Sequence, residues 1–355
     1  MKVKLKDVAE AAGVSVSTVS RVINGNRDKP ASHETVEKIW AIVEEIGYVP
    51  NKNAKNLVLG EGEEASLGRI GCIYTSTYDL NNDPFFSCIG LGVQKALNSQ
   101  NYNMAYALSA ALMDYKDLYR YIVNHPADGI IVLGRFDAHI LTMLKNHFKH
   151  MVYAGVNSVD AGFDEVICDG YDGAKAALQH LFDQGHHRIG YVGYVADKVE
   201  GDVLVNEHRY NAYCDLMTAV NGYVRPEDIL HTNLRTTASY ERMTLYLEGI
   251  GKQAMPTAFY CANDATAFGV MKALQEKAYR IPEDVAIVGL DNVEMAAFVT
   301  PRLSTISIPQ RALGERAVKM LIEQIETQRS YPLKVKLPFE LIVRESSDYK
   351  VSVSG

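Results

Sequence analysis

The chain has 355 residues, 47% of them apolar, and a formal net charge of −7. That length holds more than one domain and a sizeable core, and no apolar run reaches the roughly 20 residues of a membrane span, which argues against a membrane partner. No signal-like apolar stretch precedes the first helical pattern, and Cys72, Cys88, Cys168, Cys214 and Cys261 are scattered without a C-x-x-C pair, as expected of buried thiols in a cytoplasmic protein.

The first elements form a small helical head. Val8, Ala9 and Ala12 recur at helical spacing and predict a helix over 6–12. Gly13 stands where a left-handed cap is needed. Ser15 is placed to cap a second helix by accepting a backbone N–H one turn in. On that helix Val19, Val22 and Ile23 point inward, which leaves Val16, Ser17, Ser20, Arg21 and Asn24 on the opposite face. Helix–turn–helix readers lay such a face against base edges in the major groove. Arg21 can pair with guanine O6 and N7, Ser17 can donate or accept, and Val16 offers apolar contact, for example to a thymine methyl. Ser15, Thr18 and Ser20 suit phosphates, which position a protein without reading sequence. The plain alternative is a helical hairpin with a solvated polar face. Ser32 reads as a third cap, and Val36, Ile39, Val43 and Ile46 form the stripe of a third helix that Gly47 ends. Residues 1–59 hold nine Lys or Arg against seven Asp or Glu, a net +2, so the remainder carries −9. A polyanion would dock at the positive end, where Lys2, Lys4 and Lys6 are further phosphate candidates.

Residues 5–24 resemble the DNA-binding module of the lactose/galactose repressor family. Asp7-Val8-Ala9, Ala12-Gly13-Val14-Ser15 and Thr18-Val19-Ser20-Arg21-Val22 carry the resemblance. It implies that Val16, Ser17 and Arg21 are the main base readers. The following Tyr48–Leu57 stretch is similar to the family's hinge helix, which orders on DNA and pairs with its twin across a dimer axis. By that resemblance Asn51, Ala54 and Leu57 face DNA, with Leu57 as a minor-groove wedge. A flexible linker is the other reading, supported by Gly60-Glu61-Gly62-Glu63-Glu64.

From residue 69 short apolar strands alternate with amphipathic helices. Strands are predicted at 69–74, 104–108, 129–133, 151–154, 166–168, 188–193, 257–261, 286–290 and 304–308. Helices are predicted at 85–98, 115–123, 138–148, 173–184 and 207–220. Such alternation means βαβ units and parallel sheets, here two doubly wound lobes. The arrangement resembles the periplasmic-binding-protein fold that forms the body of the same family. The expected class is therefore α/β, with two parallel-sheet lobes behind an all-α helix–turn–helix head. The expected domains are a head at 1–49, hinge and linker at 50–67, an effector-binding and dimerisation body at 68–347, and a tail at 348–355. Within the body the first lobe is placed at about 68–164 and 308–328, the second at about 165–307 and 329–347, with chain crossings near Asp164, Ser307 and Arg329.

Ligands of open α/β sheets bind beyond the carboxyl ends of the strands. Thr75, Tyr78, Phe85, Arg135, Phe136, Asn157, Arg209, Asn263 and Asp291 stand at or near those ends. Their amides, charges and rings suit a hydroxyl-rich ligand. The resemblance implies that Arg209, Asn263 and Asp291 are sugar contacts. Each has a structural alternative: an interlobe ion pair for Arg209, a cap of a helix at 292–298 for Asp291, and a place beside an Asp264 N-cap for Asn263. His147-x-x-His150 and His186-His187 lack partners at metal-ligand spacing, so no metal is expected. Gly90-x-Gly92 lies inside a helix pattern and is no dinucleotide fingerprint, so no cofactor is expected. No nucleophile–base pair suggests an enzyme. The expectation is a homodimeric regulator, a repressor of a carbohydrate-utilisation operon, that leaves a pseudo-palindromic double-stranded operator when a sugar effector binds. Residues 128–136 resemble galactoside-type members and point to a galactoside or related oligosaccharide. The same architecture could act with a phosphocarrier corepressor or as an activator, and a sugar-binding transport component is the different-class alternative.

Overall fold

A computed structural model describes residues 3–24, 31–48, 68–74, 83–135, 138–195, 207–250 and 255–348. The expected hinge contacts Asn51, Ala54 and Leu57, and the cleft candidates Thr75, Tyr78 and Phe136, lie outside the described residues.

The head holds α1 (Leu5–Ala12), α2 (Val16–Ile23) and α3 (His33–Ile46). Gly13 has φ +68° and Gly47 φ +59°, the left-handed caps that let each helix end in a turn. Ser15 Oγ accepts from Thr18 N at 3.1 Å, and Ser32 Oγ from Thr35 N at 3.2 Å. Val8, Ala12, Val19, Val22, Ile23, Ile39 and Val43 are buried together. The predicted stripe of the third helix is corrected in part. Trp40 is fully buried, whereas Val36 and Ile46 are only half-buried. Trp40 is covered from outside the three helices, by the Tyr119 ring with centroids 5.4 Å apart and by the Arg120 guanidinium.

Among the described residues the strands form two six-stranded sheets. In the first lobe β1 (Arg69–Tyr74), β2 (Asn103–Ser109), β3 (Gly129–Leu133), β4 (Met151–Gly155) and β5 (Asp164–Ile167) lie in the parallel order β2-β1-β3-β4-β5. In the second, β6 (Ile189–Gly193), β7 (Ile229–His231), β8 (Ala258–Cys261), β9 (Ala286–Asp291) and β10 (Ser304–Ser307) repeat it as β7-β6-β8-β9-β10. Strands β3, β4, β6 and β9 are buried along their whole length, because helices cover both faces. The first lobe's helices are α4 (Pro84–Ser99), α5 (Tyr115–Asn124) and α6 (Ala138–His147). The second lobe's are α7 (Gly170–Asp183), α8 (His208–Asn221), α9 (Thr236–Gly249) and α10 (Asp264–Glu276). A last helix, α11 (Gln310–Thr327), returns to the first lobe and crosses α4 closely. A Cβ at Gly92 would sit 2.1 Å from the Arg311 carbonyl, and one at Gly314 would sit 2.2 Å from that of Ile89. Gly92 is therefore a packing glycine.

Two expected crossings shift. Strand β5 belongs to the first sheet, so the chain leaves that lobe between Ile167 and Gly170 rather than at Asp164. After α11, β11 (Lys334–Lys336) still pairs with β5, and only β12 (Glu340–Ile342) joins the second sheet, antiparallel to β10. The third crossing thus falls between Lys336 and Glu340, not at Arg329. The cause is a buried ion pair. Arg329 donates to both oxygens of Asp164 at 2.5 and 3.1 Å, and Leu333 N donates to Asp164 at 2.8 Å. These bonds hold the returning segment on the edge of β5 for one more strand. The helix expected at 292–298 is a single 3₁₀ turn, Glu294–Ala297. No helix among the described residues is long and apolar enough to cross a membrane.

Candidate functional site

Two surfaces match the expected chemistry. The first is the outward face of α2. Ser15, Ser17 and Asn24 are exposed, Val16 is 44% exposed, and Thr18, Ser20 and Arg21 are half-buried. Their polar atoms are satisfied locally. Ser15 Oγ shares hydrogen bonds with Ser17 Oγ and Thr18 Oγ1, both at 2.8 Å. Arg21 Nε donates to the Ser17 carbonyl at 3.2 Å, and Asn24 Nδ2 to that of Ser20 at 2.8 Å. Arg21 therefore lies along its own helix. Exchanging such bonds for bonds to a nucleic acid is cheap, because each is worth only about 1 kcal/mol net in water.

The second surface is a cavity of about 420 Å³ between the carboxyl ends of the two sheets. Phe85, Arg135 and Asn157 line it from the first lobe, and Arg209, Asn263 and Asp291 from the second. The shared strand order explains the convergence. The chain reverses direction across each sheet between β1 and β3 and between β6 and β8, and a crevice opens at such a switch point. Arg135 follows β3, Asn157 follows β4, Asn263 follows β8, and Asp291 ends β9. Asp83 also lines the cavity and caps α4, accepting from Phe86 N at 3.1 Å. Phe85 and Phe86 meet edge to face, with centroids 5.3 Å apart, and give the cavity an apolar wall.

Behind the cavity wall Glu207, which sequence reasoning missed, gathers Arg135 and Arg209, two of the charged residues that line the cavity. Its side chain is fully buried. Arg209 donates to its two oxygens at 2.5 and 2.8 Å and to the Ala262 carbonyl at 2.6 Å. Arg135 reaches over from the first lobe to pair with the same carboxylate, and its guanidinium lies 4.3 Å from the centroid of Tyr194. Burial alone would raise the Glu207 pKa, but the two guanidiniums outweigh it and hold the carboxyl below its usual range. Arg135 thus makes the ion pair between lobes, while Arg209 pairs inside its own. The available signal was the carboxylate two residues before Arg209. Reading it required knowing that Arg135, 72 residues earlier, lies opposite.

Asp291 lines the cavity, and Asp264 lies behind it as a second buried carboxyl. Asp264 is not the N-cap expected of it. Asn263 caps α10, accepting from Thr266 N at 2.9 Å and donating to the Leu234 carbonyl at 3.2 Å. Asp264 lies wholly buried behind it, accepting from Thr305 Oγ1 at 2.6 Å and Val293 N at 2.9 Å. Burial raises its pKa to about 6 against the pull of those bonds. Burial, and next the Asp264 charge, also push Asp291 well above the usual carboxylate range, opposed by Arg209. Asp291 takes φ +132°, a backbone position that L residues rarely adopt. Its carbonyl accepts from Gln310 Nε2 at 2.6 Å.

His186 is a structural residue, with Nδ1 2.9 Å from Thr257 Oγ1 and a pKa lowered by burial to about 4. Cys72, Cys168 and Cys261 are buried, whereas Cys88 and Cys214 are half-buried, which corrects the expectation for those two.

Comparison with known proteins identifies both parts of the chain. Residues 4–51 match the family described as bacterial regulatory proteins, lacI family, and residues 178–347 match the periplasmic binding protein-like domain. The HTH-type transcriptional repressor PurR of Aliivibrio fischeri strain ES114 is 30% identical over 345 residues, covering 96% of this chain and 97% of that protein. The HTH-type transcriptional repressor MelR of Bacillus subtilis strain 168 is 28% identical over 351 residues, covering 97% of each. The fold matches that of a transcriptional regulator CelR–cellobiose complex, with a TM-score of 0.71 at 24% identity, over 97% of this chain and 100% of that one. The chain belongs to the lacI family of bacterial regulatory proteins, as a sequence-specific DNA-binding transcriptional repressor rather than an enzyme.

Proposed function

We propose that the cavity between the lobes takes a sugar, a galactoside or related oligosaccharide, and that its binding releases the protein from an operator. The observation that carries this reading is the placing of Arg209 and Asp291 around one cavity with Phe85 and Phe86 as its apolar wall. A sugar ring needs both charged or amide groups for its hydroxyls and a flat apolar face for its carbon side. Phe85, Arg135, Asn157, Arg209 and Asp291 are the proposed contacts. Arg209 and Asn263 already have protein partners, Glu207 and Ala262 for the guanidinium and Thr266 and Leu234 for the amide, so each offers a sugar only its remaining hydrogen-bonding capacity. Sugar between the lobes changes their angle, and the effector must bind the released state more tightly to shift the equilibrium.

On the head, Val16, Ser17 and Arg21 read bases, while Ser15, Thr18, Ser20 and Asn24 bind phosphates or neighbouring edges. A homodimer presents two such helices to the halves of a pseudo-palindrome. A thermal-shift screen across a sugar panel tests the effector, since a ligand specific to the native state raises its melting point. A hit should also lower operator affinity. No stabilising sugar in the panel, or a stabilising sugar that leaves operator binding unchanged, would overturn the reading.

A further inference from the structure

The third helix of the head rests on the first lobe. Trp40, the only tryptophan of the chain, is 1% exposed although it lies on a three-helix unit too small to enclose it. The Tyr119 ring of α5 meets it edge-on, with centroids 5.4 Å apart, and the Arg120 guanidinium lies 5.0 Å from its centroid. Polar contacts ring this centre. Tyr119 OH donates to the Tyr48 carbonyl at 3.0 Å, Lys116 Nζ pairs with Glu37 at 2.5 Å, and Arg120 approaches the Val22 carbonyl at 3.5 Å. An aromatic anchor inside a polar rim is the anatomy of a specific interface. The recognition face points elsewhere, since Val16, Ser17 and Asn24 stay exposed with the head in place.

We infer that α3 docks on α5 of its own first lobe through Trp40, so that the recognition helix moves with that lobe. The docked head remains open to a groove, and the dock limits its orientations before DNA arrives. Two effects follow. Operator affinity depends on side chains far from the DNA face, because a loose head must lose orientational freedom on binding. Rotation of the first lobe also redirects the recognition helix through this contact, independently of the segment that joins head and body. The inference rests on the DNA-binding role of the head but not on the identity of the effector.

Trp40 is its own reporter. In the full chain without DNA or sugar, its emission should be blue-shifted and weakly quenched by acrylamide. Lys116→Glu sets two carboxylates against each other and should raise quenching several-fold and weaken operator binding. Adding Glu37→Lys restores an opposite pair and should reverse both changes. Tyr119→Phe removes only the hydroxyl bond to Tyr48 and should raise quenching more mildly, which covers a failure of the charge variants to fold. The dock is overturned if Trp40 of the unaltered chain is as accessible as in Lys116→Glu, or if the charge exchange restores neither property. Quenching that follows the variants while operator affinity does not would remove the coupling. None of these readouts requires a sugar, so failure of the sugar screen leaves them interpretable.

Discussion

On the recognition helix, Ser15, Arg21 and Asn24 bond to groups two to four residues away. In the cleft, Arg209 reaches a carbonyl 53 residues on, and Arg135 pairs with a carboxylate 72 residues on. The first surface is therefore assembled by one helix and its cap, whereas the second exists only when two lobes meet. Exposed local bonds exchange readily with a ligand's groups. Buried ion pairs do not, because each ion has already lost its water and cannot lose its partner cheaply. The head is thus suited to reversible reading, and the cleft to setting the relative position of its two halves.

The largest test of this contrast is Glu207→Ala. Two guanidiniums would lose their shared carboxylate, at a cost of about 3–5 kcal/mol. Thermal melting of the full chain should drop sharply, and a change of less than a degree would mean that the pair does not tie the lobes. Arg21→Ala should leave melting unchanged yet weaken operator binding about 10- to 100-fold, from about 1–3 kcal/mol per bidentate base contact. Titrations against operator and random duplexes decide it, since equal losses on both would make Arg21 a phosphate contact.

Asp291 in the cleft and Asp264 behind it give a pH test. The native-state pKa of Asp264 lies at about 6 and that of Asp291 is also raised, above the ~3.9 of an unfolded aspartate. Raised carboxyl pKa values add stability that is fully present below the unfolded value and is lost as pH rises through the native one. Between about pH 4 and 7 the melting temperature should therefore fall by roughly 5 °C. Asp291→Asn removes the charge facing Asp264 and should flatten that fall, and equal slopes would show that the two carboxyls do not interact. The smallest expected effect is Ser15→Ala. It removes one exposed cap, worth about 1 kcal/mol, and should lower protection of the α2 amides in hydrogen exchange without touching the body. A change spreading into the sheets would break the picture of a locally determined head.

The same contrast governs what could be read in advance. Gly13, Ser15, Ser32 and Gly47 marked the ends of the head helices, because caps and left-handed turns depend on neighbours in the chain. The apolar runs at β3, β4 and β9 announced buried parallel strands for a similar reason. Strand ends then pointed to Arg135, Asn157 and Asp291, and the first turn of a helix to Arg209, and all four line one cavity. The cap expected at Asp264 falls one position earlier, on Asn263, within the usual error of a helix boundary. Phe85 came with the aromatic pair that walls the cavity, whereas the Glu207 carboxylate, two residues before Arg209, could not be read as a shared partner until Arg135 lay beside it.

By itself, then, the order of residues decided the periodicity of the head helices and of the central strands, the capped turn before the recognition helix, and the alternation that makes two parallel sheets, but it did not mark the helices Thr236–Gly249 and Gln310–Thr327 or the edge strands Ile229–His231, Lys334–Lys336 and Glu340–Ile342. The features so decided depend on side-chain size, branching and hydrogen bonding within about one helical turn. Tertiary structure alone decided which charges became partners. Asp164 holds Arg329 and moves the last crossing, Glu207 gathers two arginines, and Trp40 finds Tyr119 on another domain. Such pairings join groups far apart along the chain, and their energies depend on a low-dielectric interior that exists only after folding.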